Sequence, residues 1–272
     1  MGMPPLMTGP KPLAVVTGAS SGIGFELAKV FVENGFDLLI NAEDEGLMGA
    51  AEQLRTMDTE GTDVQLIKAD LSTYDGVEQL YAAIVSTGRP VSAAALNAGV
   101  GQGGTFLDTD LADEIRIIDL NVTSTVHLAK RLLRDMAARD DGRVLITSSI
   151  ASTMPGSFQA VYNASKSFLQ SFAQALQNEL KDTEVTITSL MPGPTDTDFF
   201  HRADMDDTKV GQGSKDDPAQ VAKQGFDALM GGRDKLIAGS AKTKVEGFAN
   251  KVLPDKLKAT AHRQMAEPRS GE

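Results

Sequence analysis

Near its beginning the chain passes from a short apolar run, through a glycine-rich turn, into an amphipathic helical pattern. The apolar run is Leu13–Thr17, the turn occupies residues 17–24 (TGASSGIG), and the helical pattern covers Gly22–Asn34. Glycines at such a junction permit a tight turn and let a backbone without Cβ atoms approach a pyrophosphate at the positive end of the helix. The spacing therefore predicts a dinucleotide-binding β-α unit, although an ordinary strand-to-helix turn would carry the same glycines.

The same alternation of apolar runs and helical patterns continues along the chain. Strands are predicted at Leu13–Thr17, Asp37–Asn41, Asp63–Lys68, Val91–Asn97, Arg143–Ser148, Val185–Met191 and Lys235–Ala238. Helices are predicted at Gly22–Asn34, Leu47–Thr59, Tyr74–Ser86, Leu111–Arg139, Tyr162–Lys181 and Pro218–Met230. Nearly continuous apolar strands are typical of a sheet covered on both faces, and intervening helices make it parallel. We expect an α/β fold, namely a single-domain, Rossmann-type, doubly wound parallel sheet of about seven strands with helices on both faces.

Neither a repeat nor a linker interrupts the middle of the chain, so we expect one domain with short appendages. Its limits are placed at residues 12–240, after a mobile N-terminal arm at 1–11 and before a short helical C-terminal extension at 241–272. Short helices are predicted within the extension at Ser240–Lys251 and Pro254–Ala266. The segment Pro194–Asp217 is long, acidic and rich in turn-forming residues, and long irregular loops in compact folds are usually functional or mobile.

Composition excludes several kinds of chemistry. The chain has no cysteine, so it lacks disulfides, a thiol nucleophile, iron–sulfur clusters and thiolate zinc sites. Its three histidines, His127, His201 and His262, form no metal-ligand motif, and no metal site is predicted. With 26 basic and 37 acidic residues the net charge is −11, which disfavours nucleic acid and anionic membranes as partners. No secretory signal pattern opens the sequence, so we expect a cytoplasmic protein.

A long uncharged stretch, Val144–Ser165, contains too many polar residues for a membrane span and indicates a site instead. Tyr162 and Lys166 lie at its end, four residues apart, which places a phenol and an ammonium on one helix face. Ser149 precedes Tyr162 by thirteen residues within the same stretch. Because Tyr and Lys often occur at this spacing by chance, the weight of the pair comes from these surroundings.

Together, these features resemble those of the short-chain dehydrogenase/reductase family over about residues 12–240. The matching positions follow the family's order: TGASSGIG at 17–24, Asp70-Leu71, Asn97-Ala98-Gly99, Asn121, Ser149, Tyr162, Lys166 and Pro192-Gly193. Joint occurrence in this order is far more specific than any one motif. The resemblance implies an oxidoreductase that transfers a hydride between a nicotinamide dinucleotide and a secondary alcohol or ketone.

The resemblance also implies roles for individual residues. The residues that match the family's catalytic positions are Asn121, Ser149, Tyr162 and Lys166. With the glycine turn included, the predicted dinucleotide-binding residues are Gly18, Ser20, Ser21, Gly22, Ile23, Gly24, Asp70, Leu71, Asn97, Ala98, Gly99, Tyr162, Lys166, Pro192, Gly193, Thr195 and Thr197. Among these, Asp70 is expected at the adenine amino group and residues 97–99 beside the adenosine ribose. The loop with Thr195 and Thr197 is expected at the nicotinamide carboxamide, although the family usually has valine where this chain has Thr195.

The implied chemistry has a physical basis. A tyrosine can exchange a proton with a substrate oxygen near neutral pH only if its pKa falls from about 10 toward about 7. One positive charge at about 4 Å in an effective dielectric of about 20 supplies roughly the 4 kcal/mol required, so Lys166, helped by the cationic oxidised nicotinamide, is sufficient in magnitude. Ser149 would hydrogen-bond the substrate oxygen. Asn121 would hold a water that relays protons to Lys166, unless it is only a polar residue that bends the helix.

The residue after the second strand indicates the cofactor. In dinucleotide-binding folds an acidic residue there binds the adenosine ribose hydroxyls, whereas an arginine holds a 2′-phosphate. Glu43 follows Asp37–Asn41, and no basic residue occurs there or in the glycine turn. We therefore expect NAD(H) to be favoured, with NADP(H) not excluded. The alternative is that Glu43 is a solvated loop charge.

Two aromatic residues after Pro192-Gly193 are candidates for substrate contact. Phe199 and Phe200 either form an apolar lid over a bound alcohol or ketone or anchor a short helix on the core. Together with Ser149 and Tyr162 they are the predicted substrate residues. The aspartates of this loop receive no role, and the expected partner is a small molecule.

Three other functions remain open. A dinucleotide-binding sensor would act through a partner without turnover, but it has no need to keep the catalytic residues together. An epimerase or dehydratase would share the Tyr and Lys but usually has a larger C-terminal substrate region. Reduction of an acyl chain on a carrier protein would need a basic docking surface, and Arg202 and Lys209 among aspartates are a poor one. The resemblance also implies a homodimer or homotetramer formed through the helices predicted at Leu111–Arg139 and Tyr162–Lys181.

Overall fold

All seven strands form one parallel sheet in the computed structural model, which describes residues 10–57, 61–249 and 254–268. The strands are β1 Leu13–Thr17, β2 Asp37–Ala42, β3 Val64–Lys68, β4 Val91–Leu96, β5 Gly142–Thr147, β6 Val185–Pro192 and β7 Lys235–Ala238. Their order is β3-β2-β1-β4-β5-β6-β7, and every neighbouring pair is parallel. The predicted α/β fold with a doubly wound parallel sheet is confirmed.

Helices cover both faces of this sheet. They are α1 Gly22–Glu33, α2 Gly46–Met57, α3 Tyr74–Ser86, α4 Leu111–Ile117, α5 Ser124–Ala138, α6 Ala160–Glu179, α7 Phe199–Arg202, α8 Lys209–Gln212, α9 Pro218–Met230, α10 Ala241–Ala249 and α11 Asp255–Ala266. Along β1, Ala14 and Val16 pack with α1, α2 and α9, whereas Leu13 and Val15 pack with α3, α5 and α6. Successive strand residues thus enter two separate cores, which explains why the strands are apolar throughout.

One predicted helix differs in its interior. Leu111–Arg139 was expected as a single α-helix, but a π-helical segment at Ile118–Thr123 separates α4 from α5. The hydroxyls of Ser124 and Thr125 donate to the carbonyl oxygens of Leu120 and Asn121, at 2.5 and 2.8 Å, and such back-bonding competes for the regular ladder. Wider turns of this kind are frequent at functional sites, and this one contains Asn121.

The segment Pro194–Asp217 is more ordered than expected. It contains α7 and α8, and the Asp216 amide donates to the Pro194 carbonyl at 2.7 Å, which brings its two ends together. Asp216 also accepts a hydrogen bond from the Thr243 hydroxyl at 2.6 Å, so the loop is fastened to α10. Its prediction as an irregular loop was therefore wrong in part, because these contacts join residues that are distant in the sequence.

The ends of the chain bear on two further expectations. Both short C-terminal helices are present, as α10 and α11. Residues 1–9, which make up most of the predicted N-terminal arm, lie outside the described residues, as do 58–60, 250–253 and 269–272. The domain limits drawn from the sequence stay a prediction. Across the described ranges, no helix has both the length and the apolar character needed to cross a bilayer.

Candidate active site

A cavity of about 420 Å³ opens at the carboxyl ends of the strands. It lies where the strand order reverses, because β1 pairs with β2 on one side and with β4 on the other. Doubly wound sheets bind ligands in the crevice at this switch point. Of the predicted site residues, all but Gly24 and Asn121 line the cavity. The folding of the chain thus collects residues from the whole span between Gly18 and Phe200 around one space.

The glycine turn forms a cradle that side chains would fill. Gly18 has φ +66°, and a Cβ built on it would lie 2.9 Å from the Ala98 Cα. A Cβ on Gly24 would lie 2.0 Å from the Gly18 carbonyl oxygen, so Gly24 packs behind the turn instead of facing the cavity. Ser21 caps α1 without a side-chain hydrogen bond to the first helical amides. These free amides and the bare backbone fit the pyrophosphate of a dinucleotide.

Thr17 connects this cradle to the next strand end. Its Oγ1 accepts hydrogen bonds from the backbone amides of Asn97 and Ala98, at 2.9 and 3.0 Å. From the other side, the Thr147 hydroxyl donates to Asn97 Oδ1 at 3.1 Å. The ends of β1, β4 and β5 are therefore fixed to one another, and the predicted ribose turn at residues 97–99 has a defined position beside the cradle.

Lys166 is buried against the end of β5. Its side chain is among the buried polar groups, at 5% exposure, and Nζ donates to the Thr147 carbonyl oxygen at 3.0 Å. The same Nζ lies 5.8 Å from the centroid of the Tyr162 ring. Burial lowers the pKa of Lys166 from 10.5 to about 8, because a low-dielectric environment disfavours the ammonium form. Lys166 thus keeps its charge in most molecules at neutral pH.

The pKa of Tyr162 differs from the expectation. Burial raises it from 10.0 to about 12, and interaction with the Ser149 side chain opposes this rise only in part. The expected shift toward neutrality by Lys166 is therefore absent in the protein chain alone. The reason is geometric, because the ammonium is bonded to a carbonyl and lies over the ring. In this environment the phenol keeps its proton over the physiological range.

Ser149 stands opposite Tyr162 in the cavity wall. It is the N-cap of a short 3₁₀ turn at Ile150–Thr153, and its Oγ accepts from the Ala151 amide at 3.1 Å. Since that bond uses only an oxygen lone pair, the hydroxyl proton stays available to a ligand. The side chain is thus aimed by a backbone bond and can donate to an oxygen placed near Tyr162.

Asn121 lies behind the cavity and is fully buried. Its Nδ2 donates to the Val100 carbonyl at 2.9 Å and to Ser165 Oγ at 3.0 Å, while its Oδ1 accepts from the Val100 amide at 2.9 Å. Both donors of this amide are already used. The side chain therefore fastens the turn after β4 to α6, and the water relay stays a prediction.

The two phenylalanines occupy different environments. The Phe199 ring packs on the Tyr162 ring, with centroids 5.2 Å apart, and lines the cavity. Phe200 is 7% exposed and belongs to a small core with Ala203, Met205 and Ala266. The sequence left a lid and an anchor as alternatives for both residues. In the structure both residues line the cavity, and Phe199 packs against the small core that contains Phe200, so the choice between lid and anchor stays open for Phe199.

The opposite end of the cavity is acidic, with one basic partner. Glu43 lies at the end of β2 and Asp70 after β3, and both contact Arg116 of α4. Burial pushes the pKa of Asp70 upward, but hydrogen bonds from Ser72 and the charge of Arg116 outweigh it, so this pKa is below its ordinary value. A hydrogen bond to Glu43 raises the pKa of Arg116. No sequence signal marks Arg116, because it comes from a distant helix.

The C-terminal helix contributes residues that sequence reasoning missed. His262 and Met265 of α11 line the cavity, and so do Gln159, just before α6, and Arg202 of α7. Gln159 lies within the uncharged stretch that indicated a site, so that signal could have included it. His262 was considered only as a metal ligand, and among the residues that the structure describes no group of His, Asp and Glu side chains could hold a metal ion.

Known proteins resemble this chain in sequence and in fold. A family model described as short chain dehydrogenase matches residues 12–208. An uncharacterized oxidoreductase of Bacillus subtilis, YmfI, is 30% identical over 191 residues, which cover 70% of this chain and 77% of the relative. A short chain dehydrogenase/reductase from Burkholderia phymatum in complex with NAD has a TM-score of 0.80, with 22% identity over 96% of this chain and 98% of the other. A short-chain dehydrogenase from Sphingobium yanoikuyae in complex with NADPH has a TM-score of 0.77, with 22% identity over 96% and 99%.

Proposed function

The chain belongs to the short-chain dehydrogenase family, and from this premise we propose that it transfers a hydride between a nicotinamide dinucleotide and a secondary alcohol or ketone. Family membership makes it an oxidoreductase. The observation that carries the more specific proposal is the single cavity that joins the glycine cradle to Ser149, Tyr162 and Lys166. A cavity shared by a dinucleotide cradle and a proton donor is what coupled hydride and proton transfer requires.

The bound dinucleotide would supply or accept the hydride at the reacting carbon. The protein's part is to move the matching proton on the oxygen. Ser149 donates a hydrogen bond that holds and polarises this oxygen, and Tyr162 gives it a proton from the phenol. Because the pKa of Tyr162 is raised to about 12, the phenol is protonated at neutral pH and is ready to act as the acid in ketone reduction. Alcohol oxidation needs the phenolate, so this direction gains from higher pH.

Lys166 and Asn121 have supporting roles in the proposed proton transfer from Tyr162. In the chain alone the Lys166 ammonium is bonded to the Thr147 carbonyl, 5.8 Å from the centroid of the Tyr162 ring, and does not lower the pKa of Tyr162. Its proposed role is to offset the negative charge that forms when the phenol gives up its proton. Asn121 is a positioning residue, because its side chain holds the turn that borders Lys166. Gly99 lies next to the ammonium, because a Cβ built on Gly99 would be 3.3 Å from Lys166 Nζ. Close packing of this kind restricts the position of the ammonium.

The proposed cofactor is NAD(H), with NADP(H) as the second choice. At the adenosine end, Glu43 and Asp70 contribute two negative charges and Arg116 one positive charge, so these three groups sum to one negative charge. A 2′-phosphate would enter this field at an energetic cost, whereas ribose hydroxyls can donate to a carboxylate. Similar structures include one with NAD and one with NADPH, so similarity alone does not decide between the two cofactors.

We also propose a homo-oligomer. Exposed apolar side chains stand on α4 and α6, the helices for which the sequence predicted a dimer or tetramer interface. Leu111 is 70% exposed, Ile115 46% and Phe168 45%. Apolar side chains grouped on one part of a surface are typical of protein interfaces. The cytoplasmic location expected from the sequence stays a prediction.

The test of the proposed function is a cofactor-oxidation screen. Purified protein is mixed with NADH or NADPH and with a panel of ketones, and the loss of absorbance of the reduced cofactor is followed. The proposal expects ketone-dependent oxidation of the cofactor, and the reverse reaction with the product alcohol at higher pH. A dinucleotide-binding sensor would instead bind the reduced cofactor, seen as a change in its fluorescence, with no turnover of any ketone or alcohol.

A further inference from the structure

The C-terminal helix closes the part of the cavity that lies beyond Tyr162 and Phe199. On α11, His262 and Met265 line the cavity. Ala266, at 1% exposure, packs into the small core formed by Phe200 and its neighbours. This wall lies at the end of the cavity away from Glu43 and Asp70. The part of a substrate that extends from its reacting carbon toward α11 must therefore contact the side chains of this wall.

The same helix is fastened to the loop between Ser149 and Tyr162. His262 Nδ1 lies 2.9 Å from the Ser157 carbonyl oxygen, and the Ser157 hydroxyl donates to the Ala259 carbonyl at 3.4 Å. The Arg263 guanidinium lies 5.5 Å from the centroid of the Phe158 ring. These contacts hold α11 at a fixed distance from the catalytic loop, so side chains in the wall have defined positions.

The hydrogen bond to Ser157 fixes the tautomer of His262. A carbonyl oxygen only accepts, so Nδ1 carries the proton and donates it. In the neutral imidazole Nε2 is then an acceptor. Burial lowers the pKa of His262, which favours this neutral form, and the residue is only 6% exposed. No described residue bonds Nε2, and the atom is not sealed from solvent, in a residue that lines the cavity.

Gln159 presents a second free polar group two residues from Ser157. It is 7% exposed and lines the cavity, and its side-chain amide makes no hydrogen bond to any described residue. Its side-chain polar atoms, like Nε2 of His262, are not sealed from solvent. Buried polar groups in native proteins almost always have partners. The unbonded amide of Gln159 and the unbonded Nε2 of His262 both belong to residues that line the cavity, so each is able to bond to a polar group of a bound ligand.

We propose that Gln159 and His262 recognise a hydroxyl on the substrate, remote from the reacting oxygen. Such a hydroxyl donates to His262 Nε2 and accepts from the Gln159 amide. The side chains between this wall and Tyr162 are apolar, since Met154, Phe199 and Phe200 line the intervening space. The substrate class is thus a ketone or secondary alcohol with an apolar body and a second hydroxyl. This inference rests on the proposed function for the identity of the reacting group.

A carboxylate is the other polar group to consider, because Arg202 also borders the cavity. Arg202 stands on the exposed side of α7. A carboxylate carries no proton at neutral pH, so it would place a lone pair against that of Nε2. A hydroxyl satisfies both free groups, and a carboxylate satisfies only the amide of Gln159.

The proposal is tested with methyl ketones of increasing chain length whose far end is a methyl, a hydroxyl, a methyl ether or a carboxylate. At one length, kcat/KM for the hydroxyl compound exceeds that for the methyl ether at least ~10-fold, because the ether cannot donate. In His262→Asn, the amide nitrogen of asparagine still reaches Ser157 but no acceptor replaces Nε2, so the preference falls to near unity. Gln159→Leu also lowers it. Thr260→Ala, on the exposed face of α11, keeps the preference.

Binding of the same compounds, followed by ligand-observed NMR without turnover, separates this proposal from the proposed function. Ketone turnover without a preference for the hydroxyl at any length overturns the hydroxyl site and leaves the function intact. A preference for the carboxylate, or a hydroxyl preference that survives both His262→Asn and Gln159→Leu, also overturns it. Tighter binding of the hydroxyl compound, lost in His262→Asn, supports the site even if no ketone is reduced, in which case the proposed function fails alone.

Discussion

Arg116 Nη2 lies 2.5 Å from Glu43 Oε2, although the two residues are 73 positions apart in the sequence. Through Nη1, the same guanidinium lies 3.6 Å from Asp70 Oδ2. One side chain of α4 thereby joins the carboxyl ends of β2 and β3 at the adenosine end of the cavity. In the proposed binding mode, the charge that the adenosine ribose would meet there is set by all three groups and not by Glu43 alone.

Replacing Glu43 should change the choice of cofactor. Glu43→Gln removes one negative charge, and the sum of the three groups rises from minus one to zero. We expect kcat/KM with NADPH, relative to NADH, to rise at least ~10-fold, because the repulsion of a 2′-phosphate is relieved. Steady-state kinetics with both cofactors measure this ratio. Glu45→Gln is the matched control, since the Glu45 side chain is 82% exposed and does not line the cavity.

Arg116→Gln makes the reciprocal change. It leaves two carboxylates without their cation, so the ratio of NADPH to NADH efficiency should fall. The decrease is expected to be a few-fold, because the pair is partly exposed and such pairs are weak. A ratio that is unchanged in both variants, or that moves in the same direction in both, would contradict the assignment of this site to the adenosine ribose.

Lys166 should cost stability at neutral pH. Its pKa is about 8 in the folded protein against 10.5 as its ordinary value, so the folded state binds the proton less tightly than the unfolded chain. Replacing the ammonium in Lys166→Met removes that penalty. We expect the free energy of unfolding to rise by at most about 3 kcal/mol at pH 7, while turnover is lost.

The pH dependence of this gain follows from the sign of the shift. Below pH 8 both states are protonated and the full penalty applies. Between pH 8 and 10.5 the folded state loses the proton first, so the penalty, and the advantage of Lys166→Met, shrink as the pH rises. Chemical denaturation at both ends of this range measures it, with Lys130→Met on the exposed side of α5 as control. A variant less stable than the wild type at pH 7 would refute the account.

The exposed apolar side chains of α4 and α6 should lie in a subunit interface. Phe168→Glu places a charge at a side chain that is 45% exposed on α6, and it is expected to shift the protein from a dimer or tetramer toward the monomer. Light scattering after size-exclusion chromatography measures the mass. Val245→Glu on α10 is the control, because Val245 is 68% exposed on a different helix. If the wild-type protein is itself a monomer by light scattering, the proposed homo-oligomer is wrong.

The parts of the fold predicted from sequence are those that leave local patterns. Apolar runs give the strands, and three- and four-residue spacing gives the helices, because each strand residue enters one of two cores. The sequence also predicted the glycine turn, Ser149, Tyr162 and Lys166 as parts of one site, since each has a fixed spacing within one or two elements, and the structure places them around one cavity. Several helices begin or end a few residues from the predicted positions. No sequence pattern predicted the π-helical segment at Ile118–Thr123.

The remaining parts depend on contacts between distant segments. Arg116 reaches Glu43 only because the fold brings α4 near the carboxyl end of β2, and His262 reaches Ser157 across 105 positions. The pKa of Tyr162 was expected to fall, yet burial raises it, because sequence spacing shows that a lysine is near but not where its ammonium points. Burial and direction of side chains are tertiary properties, and no one-dimensional pattern contains them.

The most direct test of the proton-transfer role is Tyr162→Phe, measured for turnover and for dinucleotide binding on the same preparation. We expect kcat for the best ketone of the screen to fall at least ~10², because the phenol that supplies the proton is gone. The Kd of the reduced dinucleotide, from its fluorescence, should stay nearly unchanged. Tyr81→Phe is the control, since the Tyr81 hydroxyl bonds Asp135 on the protein surface. If Tyr162→Phe turns the ketone over as fast as the wild type, Tyr162 is not the proton donor and the proposed mechanism is wrong.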